Sequence, residues 1–110
     1  MKSNQLVGGV VNNVKAVTTA TYTLEAKDQV ISVNRASAVA ITIPLALEVG
    51  KNYRINTINT GAVTIVGAVG VTVNFPVLQL AEISARYATV EIDVIDLNVV
   101  VLSGALKAAP

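Results

Sequence analysis

The chain has 110 residues, of which 53% are hydrophobic and 14% are charged, with a net charge of +1 and neither cysteine nor histidine. A typical soluble domain has about a quarter of its residues charged, and one small domain has too little interior for so many apolar side chains. This composition predicts a single domain whose surplus apolar surface contacts another chain. It excludes a disulfide framework and a thiolate zinc site, and the scattered basic residues and few aromatic residues do not indicate nucleic-acid binding.

Residues 1–19 have weak periodicity and are predicted to form an N-terminal arm or irregular segment. Its apolar residues suit it to attach the domain to a larger particle; they include Leu6, Val7, Val10 and Val11. The alternative is that the arm adds a strand to its own domain or to a sister subunit. Glycine and asparagine pairs interrupt the apolar run and no small-residue cleavage pattern follows, so a secretory signal peptide is not favoured.

From residue 20 to residue 104 the apolar residues repeat with a period of two, which is typical of β-strands. Five segments with this pattern are TYTLEA, AVAITIP, KNYRINT, AVTIV and VTVNF. Turns at residues 59–61 and 67–70 are predicted to join the last three segments as hairpins, because asparagine and glycine tolerate positive φ. The fold class is therefore all-β: a small antiparallel β-sandwich or β-barrel-like module at residues 20–104, with a C-terminal tail at residues 105–110.

Residues 55–81 carry no charged side chain. Asparagine, glycine and proline interrupt this run too often for a membrane span, so no membrane partner is predicted. Residues 76–86 are the longest helix candidate, with Pro76 near a possible helix start. Their apolar residues also alternate, and strand or irregular structure is favoured there.

The strand pattern slips by one residue at Val94–Ile95. Apolar residues occupy even positions in 90–94 and odd positions in 95–101. A β-bulge or a corner between two sheets would add one residue at this point and keep the apolar side inward. In residues 99–102 both faces are apolar, so this stretch is expected to be covered by its own fold or by a neighbouring subunit.

The sequence has few groups suited to catalysis. Histidine, the commonest general base, is absent. Glu91 and Asp93 lie two residues apart on one strand face and could act as an acid/base pair. A solvated strand face that discourages edge pairing is favoured instead, because structural carboxylates far outnumber catalytic ones. No enzyme activity, cofactor, metal site or catalytic residue is predicted.

Four elements in the middle of the chain have a recognisable order. A Y-T-L-x-x-x-D-x-x-I-x-V opening occupies residues 22–33, A-I-T-I-P residues 40–44, G-K-x-Y-x-I residues 50–55 and G-x-V-T-I residues 61–65. Together they resemble a segment common in bacteriophage tail-fibre, head-fibre and capsid-decoration proteins. The resemblance implies a compact β-domain, usually trimeric, that is a structural part of the virion and is assembled in the host cytoplasm.

Two functions compete under this resemblance. One is a trimeric capsid decoration (cement) protein that binds the major capsid protein or another virion protein and stabilises the head lattice. The other is a fibre component that binds a host surface or links tail parts. The short segment before the β-domain and the apolar composition favour decoration. The predicted subunit interface consists of Val63, Ile65, Val99 and Val101.

Overall fold

The computed structural model describes residues 13–110, which form eleven strands in two sheets around one hydrophobic core. The strands are β1 (Val14–Val17), β2 (Thr21–Thr23), β3 (Val30–Val33), β4 (Val39–Ile43), β5 (Asn52–Thr57), β6 (Val63–Gly67), β7 (Thr72–Asn74), β8 (Gln79–Ile83), β9 (Thr89–Asp96), β10 (Val99–Gly104) and β11 (Leu106–Ala108). The six-stranded sheet has the order β1-β3-β5-β9-β10-β7, and the five-stranded sheet has the order β11-β8-β6-β4-β2. The all-β fold class is confirmed.

The first six strands alternate between the two sheets. Each connection crosses to the other sheet, so every second strand enters its sheet from the same end. As a result β1 pairs with β3, β3 with β5, β2 with β4 and β4 with β6, all in parallel. This half of the chain forms three stacked coils, and the prediction of an antiparallel module is wrong for it.

The two predicted hairpins within residues 52–74 are also wrong. β5 and β6 lie in different sheets, and β7 leaves β6 to pair in parallel with β10. Gly61 lies in the connection between β5 and β6, against the connection between β3 and β4. A Cβ at this position would overlap the carbonyl oxygens of Ser37 and Arg35. The glycine therefore marks a close backbone approach between coils rather than a hairpin turn.

The remaining strands extend both sheets mainly by antiparallel pairing: β9 with β5, β10 with β9, β8 with β6 and β11 with β8. Val94 pairs with Val100 and Asp96 with Val99, which leaves Ile95 as an extra residue on β9. The β-bulge at the predicted position is confirmed. The apolar side does not stay inward, because the chain turns back at Asn98, whose φ is 58°, and Ile95 is exposed.

The predicted domain boundaries need correction at both ends. Residues Val14–Val17 of the predicted arm form β1 with Val17 buried, and Leu106 of the predicted tail is buried in β11. At least this part of the arm adds a strand to its own domain. The attachment residues predicted from the sequence, Leu6, Val7, Val10 and Val11, lie outside the described residues. The strand interpretation of residues 76–86 is confirmed by β8.

Candidate interaction surfaces

A buried carboxylate holds the corner between β2 and β3. Asp28 is 1% exposed, and its Oδ2 accepts hydrogen bonds from the Tyr22 hydroxyl at 2.6 Å and the Glu25 backbone N–H at 2.9 Å. Burial and the bond to Asp28 raise the pKa of Tyr22 well above its ordinary value. The tyrosine and aspartate of the Y-T-L-x-x-x-D element are thus parts of one hydrogen-bonded turn.

The apolar positions of the four recognised elements face the core. They are Leu24, Ile31, Val33, Ile41, Ile43, Tyr53, Ile55, Val63 and Ile65. Burial of such side chains is the main source of stability for a domain of this size. The recognised pattern therefore encodes the scaffold, and a functional surface has to be sought among the residues between these positions.

The outer side of the six-stranded sheet, here called the charged face, presents Arg54 and Asn56 on β5 beside Glu91 and Asp93 on β9. Asn52 donates a hydrogen bond to Asp93 at 2.6 Å, and Arg54 lies directly opposite Glu91 in the strand register. The two carboxylates thus have polar neighbours on a strand face. Within residues 13–110 there is no pocket and no group of three or more potential metal ligands.

The outer side of β2, β4 and β6 in the five-stranded sheet, here called the uncharged face, has a different composition. Across β2, β4 and β6 the register aligns one row of Thr21, Ala40 and Thr64 and a second row of Thr23, Thr42 and Val66. None of these three strands contains a charged residue. Val66 is 41% exposed. Parallel strands are usually covered on both faces, so a bare parallel surface of this kind is unusual.

The predicted interface residues fall in two groups. Val63 and Ile65 are 1% and 2% exposed and belong to the core, so their side chains are not available to a second chain. The prediction named the right strand but the wrong face, because Thr64 and Val66 are the outward residues of β6. Val99 and Val101 are half-buried on the outer side of β10, and their role in an interface stays a prediction.

Exposed apolar side chains gather on three neighbouring loops, here called the apolar loops: residues 44–51, 68–71 and 95–98. The Ala46 backbone N–H donates to Asn98 Oδ1 at 2.7 Å, and the Gly50 backbone N–H donates to the Val94 carbonyl at 2.8 Å. The Asn98 backbone carbonyl also accepts a hydrogen bond from the Thr72 N–H at 2.9 Å, and Thr72 directly follows the second loop. The exposed side chains are Leu45, Val49, Val69, Ile95 and Leu97. The composition alone predicted a surplus of apolar surface, but it did not show where on the molecule that surface lies.

The loops at the opposite end are polar and contain arginine but no aspartate or glutamate: residues 18–20, 34–38, 58–62 and 84–88. Arg86 Nε donates to the Ile58 carbonyl at 3.1 Å, and its guanidinium carbon lies 4.8 Å from the centre of the Tyr87 ring. Sequence reasoning missed this pair, although an adjacent arginine and tyrosine in a short connection was the available signal.

Comparison of the chain with family models, curated proteins and solved structures found no match. Among residues 13–110, no helix is long and apolar enough to cross a membrane.

Proposed function

We propose that this protein is a structural subunit of a bacteriophage virion, a small homotrimeric decoration protein with a sandwich-like β-domain. It binds the head lattice and stabilises it. The observation that supports the proposal most is the uncharged face, the open outer side of three parallel strands, β2, β4 and β6, that contain no charged residue. The resemblance of the motif elements to virion β-modules supplies the biological setting.

The uncharged face suits contact with a second copy of the chain for an energetic reason. Covering threonine, alanine and valine side chains removes apolar surface from water, which contributes about 25 cal/mol per Å². These three strands carry no ion that would have to be desolvated. The adjoining carboxylate of Glu82, opposite Thr64 on β8, lies 3.5 Å from Lys107 Nζ. The charged face lacks this advantage because Arg54, Glu91 and Asp93 would lose solvation there.

The apolar loops are the proposed contact with the head lattice. Val69 is 96% exposed and Leu97 is 64% exposed, and clustered exposed apolar side chains mark interaction sites. Strand β1 begins at this end of the domain, since Val14 pairs with Val30, which directly follows the crossing of residues 24–29. The predicted attachment arm therefore leads into the domain at the same end as the apolar loops.

The trimer is tested by light scattering coupled to size-exclusion chromatography. The unaltered protein is expected to elute as a homotrimer at micromolar concentration, and a monodisperse monomer would contradict the proposal. Val66→Asp places a carboxylate on the uncharged face and should yield a folded monomer. Asn56→Asp places the same charge on the charged face as the matched control, and it should leave the trimer intact.

Attachment is tested by co-sedimentation with phage heads that lack the protein. Leu97→Asp is expected to remain trimeric and to lose head binding. Removing residues 1–12 tests the arm separately: a folded trimer that no longer binds heads supports its attachment role, whereas normal binding refutes that role.

A fibre component of the tail or head is the alternative function, and the three stacked parallel coils favour it because such coils can be continued along one axis. Immunogold labelling of intact virions separates the two functions. Label over the head surface supports decoration, and label along a fibre supports the alternative.

A further inference from the structure

Tyr87 combines an energetically unfavourable backbone conformation with an exposed side chain. Its φ is 68°, in the left-handed region, and its side chain is 69% exposed. For residues other than glycine this conformation costs about 1–2 kcal/mol, and it is rare for bulky side chains. An exposed ring recovers little of that cost through packing. The tyrosine at this position therefore points to a use outside the domain.

Arg86 and Tyr87 are held in one arrangement by the neighbouring connection. Arg86 Nε donates to the Ile58 carbonyl at 3.1 Å, and the Tyr87 backbone N–H donates to the Thr57 carbonyl at 2.7 Å. The guanidinium lies against the ring at 4.8 Å. Because the bond to Ile58 uses Nε, the terminal Nη groups are left for a ligand. Side chains that are ordered before binding lose less entropy when a partner arrives.

The electrostatic surroundings of this pair are positive. Arg35 lies on the other side of the same connection, where its carbonyl accepts from the Gly61 N–H at 3.0 Å, and its Nε is buried with no hydrogen-bond partner among the described residues. The acidic residue nearest to the 84–88 loop on each adjoining strand has a cationic neighbour. Glu82 lies 3.5 Å from Lys107, and Glu91 faces Arg54.

We infer that residues 84–88 form a recognition loop for a carboxylate-bearing surface of another protein, with Arg86 and Tyr87 as the contact residues. A guanidinium binds a carboxylate through two parallel hydrogen bonds, and tyrosine and arginine are enriched among residues that dominate binding energy. Nucleic acid is less favoured, because phosphate backbones are bound by larger sets of cations than the two arginines at this end. This inference goes beyond the virion role and does not depend on trimer formation or head binding.

The test uses fluorescein-labelled hexaglutamate, with labelled oligothymidylate as the competing class of anion, and measures fluorescence anisotropy with the full chain. Hexaglutamate is expected to bind, and Arg86→Ala and Tyr87→Gly should each weaken binding about tenfold. Arg86→Lys should also weaken it, because lysine keeps the charge but lacks the two-pronged donor.

Ala46→Gly is the matched control, since Ala46 also has a positive φ, 64°, but lies on the apolar loops at the opposite end. It should bind hexaglutamate like the unaltered protein. Tyr87→Gly should melt at the same temperature as the unaltered protein or higher, so that its loss of binding is not a loss of folding. No binding of hexaglutamate, unchanged binding by Arg86→Ala, or tighter binding of oligothymidylate would each overturn the inference.

Discussion

The two sheets have similar inner faces and very different outer faces. Inside, both contribute valine, isoleucine and leucine to one core. Outside, the six-stranded sheet carries Arg54, Glu91 and Asp93, whereas β2, β4 and β6 of the five-stranded sheet carry threonine, alanine and valine. Since the inner faces meet the same requirement, the outer residues distinguish the sheets. A charged outer face suits solvent and resists edge pairing, and an uncharged parallel face suits a covering partner.

The largest expected effect comes from placing a charge on the inner face of one strand instead of its outer face. Ile65 and Val66 are neighbours on β6, but Ile65 faces the core and Val66 faces outward. Ile65→Asp buries an unpaired carboxylate and should destabilise the domain by about 3–5 kcal/mol, a large fraction of the stability of a typical domain. Thermal melting followed by circular dichroism measures this. Val66→Asp should fold normally, and similar melting of both variants would mean that the assignment of the two faces is wrong.

The corner that leads from the uncharged face into the charged sheet should be the next most sensitive point. Tyr22→Phe removes a hydrogen bond to the buried Asp28 carboxylate and should lower the free energy of unfolding by about 1–3 kcal/mol. Urea unfolding measures the change. Lys27→Ala in the same corner, where the lysine side chain is 78% exposed, is the control and should change stability by less than about 0.5 kcal/mol. Equal effects of the two variants would show that the hydrogen bond does not stabilise the corner.

The partly buried tyrosine at this corner should make the free energy of unfolding depend on pH. Burial and Asp28 raise the pKa of Tyr22 above its ordinary value of 10.0, and burial raises the pKa of Tyr53 in the adjoining sheet. The folded state therefore holds these protons more tightly than the unfolded state. Their contribution is constant below about pH 10 and is lost as the pH rises above it. Urea unfolding across this range should show falling stability, with a shallower fall in Tyr22→Phe.

The smallest effect is expected where the five-stranded sheet does carry charge. Lys107 Nζ lies 3.5 Å from Glu82 Oε2 between β11 and β8, with the lysine side chain 53% exposed. Exposed ion pairs contribute about 0–1 kcal/mol. Lys107→Ala should therefore leave thermal stability and trimer mass nearly unchanged. Dissociation of this variant would extend the subunit interface to the β8–β11 edge.

The strands and the core were largely predictable from the sequence. Alternating residues placed Ile41, Ile43 and Tyr53 on inward faces, and the shift in alternation marked the bulge at Ile95, because side chains on a strand point to opposite sides in turn. The apolar surplus was also visible in the composition. Its positions on the apolar loops were not, because loops that are far apart in the chain meet only after the sheets have formed.

What only the tertiary structure decided was which strands pair and what covers each apolar face. A turn such as residues 59–61 has the same local chemistry whether the chain folds back as a hairpin or crosses to another sheet. The choice depends on the packing of Gly61 against the preceding crossing. In the same way, alternation shows that Val63 and Ile65 share an apolar face, but the chain's own second sheet covers that face. Periodicity is a local property of one strand, whereas pairing and burial are set by contacts between residues distant in sequence.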